Sequence, residues 1–248
     1  MNLIKTKSFE LATISQGDKN AKHLALLIPG RLDTKDYANF LSHLEILSRK
    51  GFLAVAFDPP GTWDSPGETD ICTTTNYIKA IEELIKYFGN RPTLLLGHSR
   101  GGAVSMLASS NPSVEGVILI MASYGNPTLP SEEAKKQGFD IFYRDISPGS
   151  FKTSEQRKFI LPLSYWKDAE QYDPVSSLKS FQGPKLLIYG TNDKFTSEEK
   201  VRTIYGALSE PKMIKEVDSI HDYRLSQTAI KEVDKAIEYF LDNYISSN

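Results

Sequence analysis

The sequence predicts a single α/β domain with a mainly parallel sheet and helices on both faces. Three observations support this fold class. Short all-apolar runs recur along the 248 residues, segments with apolar residues at helical spacing lie between them, and the two kinds of segment alternate. An apolar run without polar alternation is typical of a strand that is buried on both faces, as in parallel sheets.

Turn residues set the limits of the predicted helices. Gly51 closes the first helix, Gly89 and Asn90 stop the second, and Asn111 with Pro112 breaks the third. The predicted strands cover residues 9–14, 24–28, 53–57, 93–96, 117–121, 185–189 and 213–217. The predicted helices cover residues 37–47, 77–88, 103–108, 201–208 and 230–244.

Residues 127–181 interrupt the alternation. They contain no convincing buried strand but are rich in aromatic residues, and a compact domain rarely holds a structureless loop of that length. We therefore predict a core of residues 1–126 and 182–248 and a small, mostly helical lid over 127–181. Ligands of parallel sheets bind beyond the carboxyl ends of the strands, so such a lid would cover the site. Most of its aromatic residues are expected to form its own core, and a minority to face a pocket.

Composition excludes several kinds of protein. The formal net charge is −2 and no long basic run occurs, so no nucleic-acid partner is expected. The single cysteine, Cys72, allows no internal disulfide and fits packing in a reducing compartment. The first sixteen residues lack the apolar block of a signal peptide, and the longest apolar run, 117–122, is too short to span a bilayer. We expect a cytoplasmic protein without stable membrane insertion.

The pattern Gly-x-Ser-x-Gly at residues 97–101 marks the candidate nucleophile, Ser99. An apolar strand precedes it and a helix follows it, which is the context that a nucleophile elbow requires. The two glycines leave room for the backbone to pass closely at the turn. An ordinary serine on a glycine-rich turn is the alternative. The sequence has no P-loop, dinucleotide-binding, H-E-x-x-H or paired C-x-x-C motif, so no cofactor and no metal are expected.

A serine hydroxyl needs a base to remove its proton. In hydrolases with this strand–turn–helix nucleophile, the acid and then the histidine follow the serine in the chain. Of the four histidines, His23, His43 and His98 precede Ser99, and only His221 follows it. His221 is therefore the predicted base.

The acid that orients the base should also follow a strand. Asp193 does so, four residues after the predicted strand 185–189. Asp218 and Asp222 lie close to His221 in the chain and are the alternatives, but they are expected to be loop or surface residues. Asp193 is therefore the predicted acid.

The oxyanion of an acyl-transfer intermediate needs two backbone N–H donors. One should be the amide of Arg100, directly after the nucleophile, and the other the amide of Arg31 in the loop after residues 24–28. Leu32 is the second choice for the latter. The substrate pocket is expected to involve Gly30, Leu32, Trp63 and Tyr124, with simple packing as the alternative for Trp63.

The chain resembles the α/β-hydrolase superfamily, in particular lidded carboxylesterases, acylglycerol lipases and related serine peptidase-like members. The resemblance covers residues 24–244 and implies a Ser99–His221–Asp193 triad, no cofactor and an acyl-enzyme mechanism. The chain departs from the family pattern at Pro29, where a histidine is usual, and at Trp63, where a glycine is usual. The matching segments are Pro29-Gly30, residues 58–65, the elbow, residues 190–193 and His221.

We therefore expect a serine hydrolase that cleaves a small-molecule carboxylic ester. An amide- or peptide-cleaving enzyme with the same triad, or a non-catalytic ligand-binding protein on the same fold, are the alternatives. The side chains of Arg31 and Arg100 could recognise an acidic group on the substrate, although pairing with neighbours such as Asp33 is the favoured interpretation.

Overall fold

The computed structural model describes residues 2–125 and 129–245, and within them the apolar runs form a sheet of eight strands in the order β1-β2-β4-β3-β5-β6-β9-β10. The strands are β1 (Asn2–Lys5), β2 (Glu10–Gln16), β3 (His23–Ile28), β4 (Phe52–Phe57), β5 (Thr93–His98), β6 (Val114–Ile120), β7 (Phe139–Asp145), β8 (Gln156–Pro162), β9 (Lys185–Gly190) and β10 (Lys212–Val217). The helices are α1 (Ala38–Arg49), α2 (Thr74–Tyr87), α3 (Arg100–Ala108), α4 (Glu132–Gln137), α5 (Ser164–Ala169), α6 (Pro174–Ser180), α7 (Glu198–Gly206) and α8 (Gln227–Tyr244).

The sheet is parallel from β4 to β10, and β1 and β2 join its edge antiparallel. After β3 the chain adds β4 on one side and then crosses to place β5 on the other. The order of the strands therefore reverses between β3 and β5. In open parallel sheets, the crevice beyond the strand ends at such a reversal is where ligands bind.

Alternate side chains of the strands build two apolar cores. Leu24 and Leu26 of β3 belong to the core under α2 and α3, whereas Ala25 and Leu27 belong to the core under α1 and α8. All four side chains are fully buried. Burial on both faces explains why β3 is a continuous apolar run.

The predicted fold class is confirmed, and each predicted core strand and helix occurs with shifted limits. Strand β1 was not among the predicted strands; it pairs only with β2 at the edge of the sheet. Its side chains are largely exposed, Leu3 to 54%, so β1 leaves no apolar run to detect. Every helix that the structure describes is too short or too polar to cross a bilayer.

The segment between β6 and β9 differs from the prediction of a mostly helical lid. It contains α4, α5 and α6, but its centre is an antiparallel hairpin of β7 and β8. These strands bury only some of their side chains, such as Phe159 and Leu161 of β8, with Ile160 exposed between them. They therefore lack the continuous apolar run used to identify strands. The predicted first residue of the lid, Pro127, lies outside the described residues.

Two arginines anchor the hairpin to the core. Arg144 of β7 donates from Nε to the Arg31 carbonyl, at 3.1 Å, and its guanidinium lies 3.3 Å from the Asp33 carboxylate. At the end of β7, Asp145 accepts a 2.7 Å hydrogen bond from Arg224. The hairpin is thus tied both to the loop after β3 and to the segment before α8.

Candidate active site

Ser99 occupies a strained turn between β5 and α3, with φ 53° and ψ −119°. A positive φ is uncommon for a residue other than glycine and is seen mostly where function requires it. The neighbouring glycines are needed for close approach. A Cβ on Gly97 would lie 2.3 Å from the Gly101 carbonyl oxygen, and one on Gly101 would lie 1.9 Å from the Ile28 carbonyl oxygen.

We expect Gly101→Ala to lower the free energy of unfolding by about 3 kcal/mol, because the methyl group meets backbone that cannot move without displacing β3. Urea unfolding measures the effect. Gly206→Ala is the matched control, since a Cβ there has no neighbour within 4 Å and alanine is favoured over glycine in a helix by about 0.5–1 kcal/mol. Equal unfolding midpoints for Gly101→Ala and the unmodified protein would show that the turn has room for a methyl group at residue 101.

The structure brings together the three predicted catalytic side chains. His221, after β10, has its Nε2 2.8 Å from Ser99 Oγ, and its Nδ1 2.9 Å from an Asp193 carboxylate oxygen. Asp193 follows β9. Since an ionised carboxylate only accepts hydrogen bonds, the neutral imidazole carries its proton on Nδ1, and Nε2 is free to accept from the Ser99 hydroxyl.

Asp193 is held as an anion. Burial raises the pKa of its carboxyl, but the hydrogen bond with His221 and those from the amides of Phe195 and Thr196 lower this pKa by a larger amount. These amides lie 2.8 and 3.3 Å from the other carboxylate oxygen. The resulting pKa of Asp193 lies below its ordinary value, so the group is ionised at neutral pH.

Neither alternative acid is hydrogen-bonded to the His221 ring. Asp218 accepts hydrogen bonds from Thr191 and Asn192, and Asp222 lines the cavity described below. His98, which sequence analysis assigned to packing, is buried between Asp33 and the carbonyl of His221, at 3.1 and 3.0 Å. It therefore supports the loop that carries the base.

Arg31 and Arg100, whose amides are the proposed oxyanion donors, line the same cavity as Ser99. Arg31 directly follows Gly30 after β3, and Arg100 is the first residue of α3, where an amide has no partner within the helix. The adjoining turns are closed by other amides, that of Asp33 on the Gly30 carbonyl and that of Gly102 on the Ser99 carbonyl. The amides of Arg31 and Arg100 are not used in these turns and are therefore candidate hydrogen-bond donors to a developing oxyanion.

Ser99 and His221 open into a cavity of about 220 Å³. Helix α3 supplies much of its apolar wall. Tyr124 also lines the cavity, and its buried hydroxyl has no hydrogen-bond partner. The apolar lining includes Ala103, Val104, Leu107, Ala169 and Pro174.

Tyr124 thus lies where it was predicted, but Gly30, Leu32 and Trp63 do not line the cavity. Trp63 donates from Nε1 to the Leu32 carbonyl at 2.9 Å and packs against Phe159 of the hairpin. Leu32 is buried in the same cluster. A Cβ on Gly30 would lie 2.5 Å from the Asp33 carboxylate, so this glycine makes room for Asp33.

The two arginine side chains differ in their surroundings. The Arg100 guanidinium is buried, donates to the Cys72 sulfur and carbonyl, and stacks on the ring of Tyr165 at 4.4 Å. Arg100 therefore has the structural role that was favoured for both side chains. The Arg31 guanidinium lies over the Phe142 ring at 4.7 Å and lines the cavity.

Arg144 and Tyr165 also line the cavity, although neither was among the predicted site residues. The sequence contains a weak indication of the hairpin that carries Arg144. Two runs with β-branched and aromatic residues, 139–145 and 156–162, lie on either side of a turn with Pro148 and Gly149. In the described parts of the chain, no group of three or more His, Cys, Asp or Glu side chains could hold a metal ion.

Comparison with known proteins identifies the family. Residues 26–160 match the profile described as "alpha/beta hydrolase fold", and the chain belongs to this family. Bovine mitochondrial palmitoyl-protein thioesterase ABHD10 is 24% identical over 174 residues, which are 68% of this chain and 56% of the relative. The human protein of that name gives the same values. The chain thus spans about half the length of these curated relatives.

Solved structures share the fold. Est1E from Butyrivibrio proteoclasticus, solved with ferulic acid, superposes with a TM-score of 0.77 at 17% identity and covers 99% of both chains. Monoacylglycerol lipase from Paleococcus ferrophilus gives 0.71 at 20% identity, over 95% of this chain and 99% of the lipase. Mouse α/β hydrolase domain-containing protein 10 gives 0.74 at 18% identity, over 97% and 98%. At such identities the likeness concerns the fold alone.

Proposed function

We propose that this protein is a serine hydrolase that cleaves small carboxylic esters or thioesters through an acyl-enzyme intermediate. The observation that carries the proposal is the continuous contact from Ser99 Oγ through the His221 ring to the Asp193 carboxylate, at 2.8 and 2.9 Å. Ser99 lies at the strained elbow, and Ser99 and His221 face a cavity with an apolar wall. Such a constellation activates a serine for attack on an acyl carbonyl.

In the first half-reaction, Ser99 Oγ attacks the carbonyl carbon while His221 Nε2 takes the hydroxyl proton. The oxyanion accepts hydrogen bonds from the Arg31 and Arg100 amides, and Asp193 stabilises the imidazolium. Collapse of the intermediate breaks the bond to the leaving alcohol or thiol, which receives the proton from His221. A water molecule, deprotonated by the same imidazole, then releases the carboxylic acid and restores Ser99.

The size of the cavity favours a short acyl group. Its volume of about 220 Å³ lies below the roughly 300–1,000 Å³ of sites for drug-sized ligands. The curated relatives are named as palmitoyl-protein thioesterases, and their name is the reason to include thioesters. The small cavity is the reason to expect a chain shorter than palmitoyl. The cytoplasmic location stays a prediction, since these relatives are named mitochondrial.

A substrate panel tests the proposal. It pairs p-nitrophenyl esters from acetate to decanoate with N-acetylcysteamine thioesters of the same acids and with p-nitroanilides. We expect ester or thioester cleavage that declines beyond about six acyl carbons, because a cavity of about 220 Å³ limits the length of the acyl chain. Mass spectrometry should detect acyl or fluorophosphonate adducts on the peptide that contains Ser99.

Cleavage of the anilides alone would instead favour the amide- or peptide-cleaving alternative. A folded protein that hydrolyses no member of the panel and takes no fluorophosphonate label would contradict the proposal. That result would favour the non-catalytic, ligand-binding alternative.

A further inference from the structure

The lining of the cavity carries more positive than negative charge. Four cationic residues line it, whereas Asp222 is the only carboxylate among its lining residues in the described parts of the chain. Lys200 is exposed at the mouth, and the other three cations are covered to a greater extent. The cations are Arg31, Arg100, Arg144 and Lys200.

Two of these cationic side chains are already bound by other groups of the protein. Arg100 is bound to Cys72 and to tyrosine rings. Arg144 pairs with Asp33, whose carboxylate also binds His98. The nearest acid in sequence to Arg31 is thus committed elsewhere. Within residues 2–125 and 129–245, no carboxylate oxygen lies within 4.0 Å of the Arg31 guanidinium.

The Arg31 guanidinium is half-buried, with the Phe142 ring as its described side-chain contact. Burial lowers the pKa of Arg31, and the charges of Arg144 and Arg100 lower it further against the opposing effects of Tyr165 and Asp33. A partly desolvated cation that has no counter-charge in contact with it costs free energy. A cation–π contact offsets only about 0.5–2 kcal/mol of that cost. An anion that enters the cavity would supply the missing partner.

We propose that the Arg31 side chain binds a carboxylate of the substrate, on one side of the scissile bond, while the apolar wall of α3 holds the other side. This inference rests on the proposed hydrolase function. The guanidinium matches a carboxylate through two parallel hydrogen bonds. An arginine side chain reaches about 6 Å from its own backbone, given bond lengths near 1.5 Å. The carboxylate would therefore lie a few carbons from a carbonyl held by the Arg31 amide.

Two matched pairs of esters test the proposal and locate the carboxylate. For the acyl side, the mono-p-nitrophenyl ester of adipic acid is compared with its methyl ester. For the alcohol side, 4-acetoxybenzoate is compared with methyl 4-acetoxybenzoate. In one of the two pairs, the unmodified protein should favour the anionic member in kcat/KM by at least tenfold.

Arg31→Gln should lower that anionic-to-neutral ratio by about 10- to 100-fold, the range of a charge-assisted hydrogen bond. The loss should fall mainly in KM. The ratio cancels any effect of the substitution on the Arg31 amide, since both members of a pair use it. Arg31→Lys should retain part of the preference. Arg49→Gln, which removes an exposed charge on α1, should retain all of it.

Ser99-dependent hydrolysis with the same ratio in the unmodified protein and in Arg31→Gln would overturn this inference and leave the proposed function intact. If no ester is cleaved, the proposed function fails. The anion site is then tested separately, by measuring how tightly the protein and Arg31→Gln bind monomethyl adipate. Binding that Arg31→Gln weakens at least tenfold would support the site. Absent or unchanged binding would overturn it.

Discussion

Replacement of Ser99 by alanine is expected to lower kcat for the best ester or thioester by about 10⁴- to 10⁶-fold, the range found when a triad nucleophile is removed. The reason is that no other described hydroxyl lies within hydrogen-bond distance of His221 Nε2. The remaining rate would come from water activated by His221 and from the oxyanion donors. Steady-state and single-turnover hydrolysis by the purified variant measure the effect.

A matched serine separates this loss from a general effect on the protein. Ser110 is exposed just after α3, and its hydroxyl bonds only the Leu107 carbonyl, at 3.5 Å. Ser110→Ala should keep full activity, and both variants should unfold at urea concentrations close to that of the unmodified protein. Ser99→Ala activity within tenfold of the unmodified protein would contradict the mechanism.

Asp193→Asn is expected to lower kcat by about 10³- to 10⁴-fold while the fold stays intact. The carboxylate accepts the Nδ1 proton of His221, at 2.9 Å, and amide protons through its other oxygen. An asparagine would remove the charge that stabilises the imidazolium and could present its NH₂ group to Nδ1, which would favour the wrong tautomer.

Asp218→Asn and Asp222→Asn are the controls for the assignment of the acid. Both residues lie close to His221 in the chain, but neither carboxylate is hydrogen-bonded to its ring. We expect losses in kcat below tenfold for both. A loss for Asp222→Asn that equals that of Asp193→Asn, or a nearly active Asp193→Asn, would mean that the acid is wrongly assigned.

The sequence contained enough information to predict the sheet and the contact among the three candidate catalytic residues. Strands buried on both faces, such as β3 and β5, leave continuous apolar runs. Ser99, Asp193 and His221 each follow the carboxyl end of a parallel strand, and those ends share one edge of the sheet. Chain order left His221 as the single candidate base. Local sequence patterns therefore predicted that three residues far apart in the chain lie close together in the fold.

Other features could not be predicted because they depend on packing between distant segments. The direction of the Trp63 side chain depends on its contact with Phe159, nearly a hundred residues further on. The separate environments of Arg31 and Arg100 depend on where Phe142 and Tyr165 of the insertion come to lie. Such contacts between distant segments leave no periodic pattern in the local sequence.

The anchoring of the hairpin also bears on how a substrate arrives. The Arg224–Asp145 pair has only 6% of each side chain exposed, and removing one partner of a buried pair costs about 3–5 kcal/mol. Strand β7 carries both Asp145 of this pair and Arg144, which lines the cavity, so the pair helps to hold that part of the cavity wall in place. Phe195, which also lines the cavity, is 72% exposed and packs against the His221 ring. We therefore expect substrates of the proposed hydrolase to enter on the side of Phe195 without displacement of the hairpin, so that the size and charge of the cavity select among them.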